Sequence, residues 1–108
     1  MNTRATANQD RLCIKNLVIQ RSARVVTLYD EVVALTPKEY AILLLLAESP
    51  NQVFSSEQIF RCVWKEAYFE GANTVMVHIR TLRKKLQDTK KSSPMIETVW
   101  GVGYKLNG

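Results

Sequence analysis

The sequence predicts an α+β domain: a four-stranded antiparallel sheet at the N-terminal end, three helices, and a C-terminal β-hairpin. Three observations predict it. Four short segments rich in Val, Ile and Leu follow one another with two-residue breaks. The same helix-start pattern occurs twice, around Thr36 and around Ser55. A third helical stretch, residues 73–87, precedes a pair of short strands separated by Gly101-Val102-Gly103. At 108 residues the chain is one domain, large enough to bury a core without disulfides or metals.

Residues 1–10, MNTRATANQD, are polar and patternless and read as a disordered linker remnant, leaving 11–107 as the domain. The strand segments are 12–14, 17–21, 24–29 and 32–35, punctuated by Lys15-Asn16, Ser22-Ala23 and Asp30-Glu31. Nothing in them suggests chemistry; their role is packing or docking.

Thr36 can cap a helix with Pro37 at its first position, and Glu39 can return a hydrogen bond to close a capping box. Leu35 and Tyr40 stand at the positions of a hydrophobic staple. This helix should run to about Glu48, stop before Pro50, and form the centre of the core, since it is apolar nearly all round. Ser55 and Gln58 repeat the capping box, with Phe54 and Ile59 as staple, and start a helix to about Trp64. Val53-Phe54 can add a short strand before it. Residues 65–72 form a loop into the third helix.

In that third helix Val75, Ile79, Leu82 and Leu86 fall at i, i+4, i+7 and i+11, one stripe facing the core. Val77, Arg80, Thr81 and Lys84 lie opposite, and His78, Arg83 and Lys85 flank the stripe. Four cations, Arg80, Arg83, Lys84 and Lys85, have no acid among them. Read alone, such a helix fits a solvated basic face as well as a DNA major groove. Two helices joined by a short loop, the second basic and followed by a hairpin, form a winged helix-turn-helix, and that favours the groove.

Charge supports the same reading. Residues 1–60 hold six basic and six acidic side chains; residues 61–108 hold nine basic and four acidic. The whole excess of +5 therefore sits in the second half, as a polyanionic partner requires. The most apolar run, residues 41–47, is far shorter than the ~20 residues that span a bilayer, and no targeting segment is present. Cys13 and Cys62 read as reduced, buried thiols of a cytoplasmic protein. His78 is the sole histidine, so neither a metal site nor a catalytic triad is expected; no enzyme activity and no cofactor are predicted. A non-specific architectural nucleic-acid binder is the alternative function.

Four motifs carry a family resemblance: Leu35-Thr36-Pro37-Lys38-Glu39-Tyr40, Thr74-Val75-Met76-Val77-His78-Ile79-Arg80, Leu82-Arg83-Lys84-Lys85-Leu86, and Ile96-Glu97-Thr98-Val99-Trp100-Gly101-Val102-Gly103-Tyr104. Together, in this order and spacing, they resemble the winged-helix effector domain of OmpR/PhoB-type bacterial response regulators, and look like its VanR-like branch. The resemblance implies sequence-specific binding of double-stranded DNA, transcription regulation in a two-component phosphorelay, and a monomer that pairs head to tail on direct-repeat half-sites. It implies a receiver domain in a full-length protein. It also implies a loop able to touch RNA polymerase, here Lys65, Glu66, Tyr68 and Glu70.

By position in these motifs, Thr74, His78, Arg80, Arg83, Thr98 and Tyr104 match DNA phosphate-contacting places, and Trp64, at the end of the second helix, matches a place whose indole N–H can reach a phosphate. Trp64 also reads as a core residue, His78 as a packing residue, and Tyr104 as packing beneath the wing. Met76, Val77, Thr81 and Lys84 are expected to face the bases. Trp100, Gly101 and Gly103 form the wing. Some members carry arginine at the places of Thr81 and Trp100, where it pairs with guanine or enters the minor groove. Thr81 cannot make a bidentate contact with guanine, and Trp100 cannot act as a minor-groove cation; the family's general function carries over, but its recognised sequence does not.

Overall fold

The computed structural model describes residues 10–65, 74–87 and 94–108. The backbone divides between Ala34 and Leu35 into two compact units.

The first unit is a four-stranded antiparallel meander of β1 (Arg11–Ile14), β2 (Leu17–Gln20), β3 (Val25–Leu28) and β4 (Glu31–Val32). Leu17 opposes Leu28 and Ile19 opposes Val26, so all four sit on one face, the buried one. The last turn falls one residue earlier than its composition suggests, at Tyr29-Asp30. Both residues take positive φ (52° and 66°), as a two-residue type I′ turn demands to match the strand twist. β4 starts one residue earlier than expected and, at two residues, is shorter. Asp10 is tied into this unit: its carboxylate accepts from the Ser22 N–H (2.7 Å) and the Ser22 hydroxyl (3.0 Å).

The second unit holds α1 (Pro37–Ala47), α2 (Ser56–Trp64), α3 (Thr74–Lys85) and the hairpin β5 (Ile96–Val99) and β6 (Gly103–Leu106). Both capping boxes form. The Thr36 hydroxyl accepts from Glu39 N–H at 3.3 Å while Thr36 N–H donates to Glu39 Oε1 at 2.9 Å. Ser55 accepts from Gln58 N–H at 3.0 Å and donates its own N–H to Gln58 Oε1 at 2.8 Å. α1 buries Tyr40, Ile42, Leu43, Leu46 and Ala47 and touches both other helices. Phe54, Ile59, Phe60, Val75, Ile79, Leu82, Leu86, Ile96 and Leu106 complete the described core of this unit.

Val53-Phe54 contributes a single bridge rather than a strand. Phe54 N–H donates to the Tyr104 carbonyl at 2.8 Å, and Tyr104 N–H donates to the Phe54 carbonyl at 2.9 Å. This exchange ties the hairpin to the start of α2.

The two cysteines correct the sequence reading. Both are free thiols, but both are exposed. Cys13 takes the outward alternation of edge strand β1, and Cys62 points away from the Ile59–Phe60 face of α2.

Candidate nucleic-acid interface

Helix α3 is held on three sides. Its apolar stripe, Val75, Ile79 and Leu82, is fully buried, and Leu86 just beyond its end continues that stripe. On one flank Glu39, itself only 4% exposed, accepts three hydrogen bonds from residues outside its own backbone. Lys85 Nζ donates to Oε1 at 2.7 Å, the Thr81 hydroxyl donates to Oε2 at 2.7 Å, and Thr36 N–H completes the set. Burial, the largest single influence, would push this carboxyl up. The Lys85 ammonium and the two further hydrogen bonds prevail and hold it down at about 2, against an ordinary value of 4.5.

On the other flank Arg83 clamps the hairpin. Its Nε and one terminal nitrogen both donate to the Ile96 carbonyl (3.2 and 3.0 Å), and the same terminal nitrogen donates to the Thr98 hydroxyl at 2.7 Å. The guanidinium lies 5.8 Å from the Tyr104 ring centroid. A lysine carries the charge without the planar fork. Arg83→Lys and Arg83→Ala are therefore expected to lose similar stability, about 1–2 kcal/mol each in urea titration. A fully stable Arg83→Lys protein would show that the fork does not hold the hairpin.

The remaining face of α3 is open. Met76 and Val77 are 43% and 46% exposed, and Arg80 and Lys84 project beside them. His78 Nδ1 lies 2.7 Å from the carbonyl of Thr74, one turn earlier, and donates to it, which leaves Nε2 without the proton in the neutral ring. Trp64 meets His78 edge to face at 5.2 Å and stacks on Phe60 at 5.0 Å with rings 5° from parallel. Lys38 Nζ sits 5.2 Å from the Trp64 ring and donates to the Val63 carbonyl. Trp64 is thus a half-buried platform between α2 and α3.

The site residues named from sequence therefore fall into groups. Thr74, His78 and Trp64 cluster at the start of α3; Met76, Val77, Arg80 and Lys84 share its open face; Arg83, Thr98 and Tyr104 form the joint with the hairpin. Thr81 is not opposite the stripe. It is half-buried and turned toward α1, its hydroxyl engaged with Glu39. Lys65 closes α2 in a left-handed conformation (φ 58°), while Glu66, Tyr68 and Glu70 lie outside the described residues. Glu39 was legible only as half of a capping box. The one clue to its second role is an acid placed directly before the apolar run from Tyr40 to Ala47.

Residues 30–106 match the family model described as transcriptional regulatory protein, C terminal. The chain belongs to this family. Its fold is the winged helix-turn-helix of OmpR/PhoB-type effector domains. Among curated relatives, the regulatory protein VanRc of Enterococcus gallinarum is 47% identical over 88 residues, which is 82% of this chain and 38% of that protein. The chain thus spans well under half the length of that relative. The RstA DNA-binding domain of Klebsiella pneumoniae, solved in complex with the RstA box, superposes with a TM-score of 0.84 at 29% identity, covering 90% of this chain and 96% of that one. The Thermotoga maritima response regulator DrrB, an OmpR/PhoB homolog, gives 0.80 at 29% identity, covering 92% of this chain and 45% of DrrB. Among the described residues of this family member, no cluster of His, Cys, Asp and Glu could hold a metal, and no helix is long and apolar enough to cross a membrane.

Proposed function

We propose that residues 11–107 bind double-stranded DNA sequence-specifically and regulate transcription as the non-enzymatic, cytoplasmic effector domain of a phosphorelay response regulator. The observation that carries this reading is the open face of α3. Core, Glu39 and hairpin hold the helix on three sides, and the fourth presents Met76, Val77, Arg80 and Lys84. A rigid helix with an apolar and cationic outer face fits the major groove, where Val77 can press on a thymine methyl and Lys84 can donate to guanine. The RstA DNA-binding domain, of the same fold, was solved in complex with the RstA box, which supports DNA binding. Thr81 stands at the edge of this face, where its hydroxyl serves Glu39 and only its methyl group is left for the bases. Thr74, His78, Arg80 and Trp64 contact phosphates, together with Thr98 and Tyr104 at the hairpin and any donor capacity Arg83 has left.

In a full-length protein a receiver domain controls this one. Two copies, monomeric off DNA, sit in tandem on direct-repeat half-sites, and the loop after Lys65 meets RNA polymerase.

Selection of bound sequences from a random duplex pool, followed by footprinting, tests the proposal. Two direct half-sites about one helical turn apart are expected. Arg80→Ala should weaken binding to selected and random DNA alike and lower the salt slope by about 1. Val77→Ala should instead cost about 1 kcal/mol on the selected site alone. A specific-to-random affinity ratio near one would replace this reading with that of an architectural binder.

A further inference from the structure

The tip of the hairpin carries an apolar surface that no described residue of the unit covers. Val102 N–H donates to the Val99 carbonyl at 2.9 Å, which makes residues 99–102 a tight turn. Gly101 takes φ +79°, as the third residue of a type II turn requires. This turn points Trp100 outward at 89% exposure, beside Val102 at 57%. From Thr98 to Tyr104 there is no charged residue, in the half of a chain that holds its whole net charge of +5. The base of the hairpin is immobilised by the Phe54–Tyr104 exchange and by Arg83. The indole is therefore presented on a fixed arm.

We infer that Trp100 is an apolar wedge that enters the DNA minor groove beside the major-groove site and reads its deformability. The inference rests on the DNA-binding reading above. Arg83 joins the hairpin to the side of α3, so with α3 in the major groove the tip reaches across the neighbouring phosphate ridge. A neutral tip gains nothing from the ridge itself. The minor groove beyond it offers deoxyribose walls and base steps against which an indole can be buried. Apolar side chains inserted there partly unstack a base step, and pyrimidine–purine steps such as TA and CA yield most readily. Trp100 thus sets a preference at flanking positions without a hydrogen bond to any base.

The test uses duplexes bearing one selected half-site, flanked on the hairpin side by a TA step or by a stiff A-tract. Wild-type protein should bind the TA duplex several-fold more tightly, and 2-aminopurine placed at that step should brighten on binding. Trp100→Ala should lose about tenfold in affinity on the TA duplex, as expected for one aromatic stacking contact. Its salt slope should equal that of wild type, because no charge is removed. The flank preference and the 2-aminopurine signal should vanish, and Trp100→Phe should restore most of both. Equal binding by Trp100→Ala on both flanks to within twofold of wild type would overturn the inference while leaving the DNA-binding reading intact. So would a loss seen only on tandem half-sites, which would make Trp100 a contact between protein copies. Failure of wild type to select any sequence would instead defeat the functional reading itself.

Discussion

Gly103→Ala is expected to be the most damaging single-atom change in the second unit. An added Cβ would lie 2.0 Å from the Phe54 carbonyl oxygen, 2.7 Å from its carbon and 2.8 Å from Ser55 Cα. All three are backbone atoms at the mouth of α2, so no side-chain rotation relieves the clash. The hairpin must move away, which breaks the two Phe54–Tyr104 hydrogen bonds. Overpacking and the lost bonds together suggest a destabilisation of about 3–5 kcal/mol, measurable by urea unfolding. Gly101→Ala makes the control. Nothing lies within 4 Å of its Cβ, and only its φ of +79° opposes a side chain. That strain is worth about 1 kcal/mol. Equal costs at the two glycines would contradict the close approach at Gly103.

Functionally, Gly103→Ala should separate the hairpin from the helices. α3 keeps its core stripe and its Glu39 anchor, while the joint formed by Arg83, Thr98 and Tyr104 loses its second support. Far-ultraviolet helicity should persist at temperatures where DNA affinity has already fallen. Loss of both in one transition would mean that the hairpin and the helices fold as a single cooperative piece.

What could be read in the sequence was mostly local chemistry. Thr36-Pro37-Lys38-Glu39 and Ser55-Ser56-Glu57-Gln58 fix their own helix starts, and their capping boxes formed as the residue types require. The α3 core stripe followed from helical periodicity. The misplaced features depended on partners distant in sequence or on sheet geometry. A helical wheel of α3 puts Thr81 away from the stripe; only the position of α1, 42 residues earlier in the chain, turns it inward. Cys62 stands in an apolar-looking stretch, yet α2 needs only Ile59 and Phe60 fully buried. The Tyr29-Asp30 turn contains no glycine to mark it, and strand twist selects it instead.

Glu39→Gln should weaken the protein and change how it responds to acid. The folded carboxyl is held at about 2, below its ordinary 4.5, so its ionised form is favoured by folding. The stabilisation is complete above about pH 4.5 and is lost as pH falls from there toward 2. A shift of this size corresponds to about 3 kcal/mol at neutral pH, an upper figure because Lys85 remains partly exposed to solvent. Glu39→Gln keeps the shape and one acceptor oxygen but cannot hold the Lys85 ammonium and the Thr81 hydroxyl on two anionic oxygens at once. Its unfolding free energy should be about 2 kcal/mol lower at pH 7. Its stability should also vary less than that of wild type between pH 4.5 and 2, because the titrating group is gone. Parallel stability–pH curves for the two proteins across that interval would refute the anchor. The consequence for DNA follows from the shared residues. Thr81 and Lys85 are released together, so the α3 helix loses one of its three supports while Met76, Val77 and Lys84 stay chemically unchanged. Glu39→Gln should therefore narrow the difference in affinity between selected and random DNA, although Glu39 itself faces the core rather than the groove.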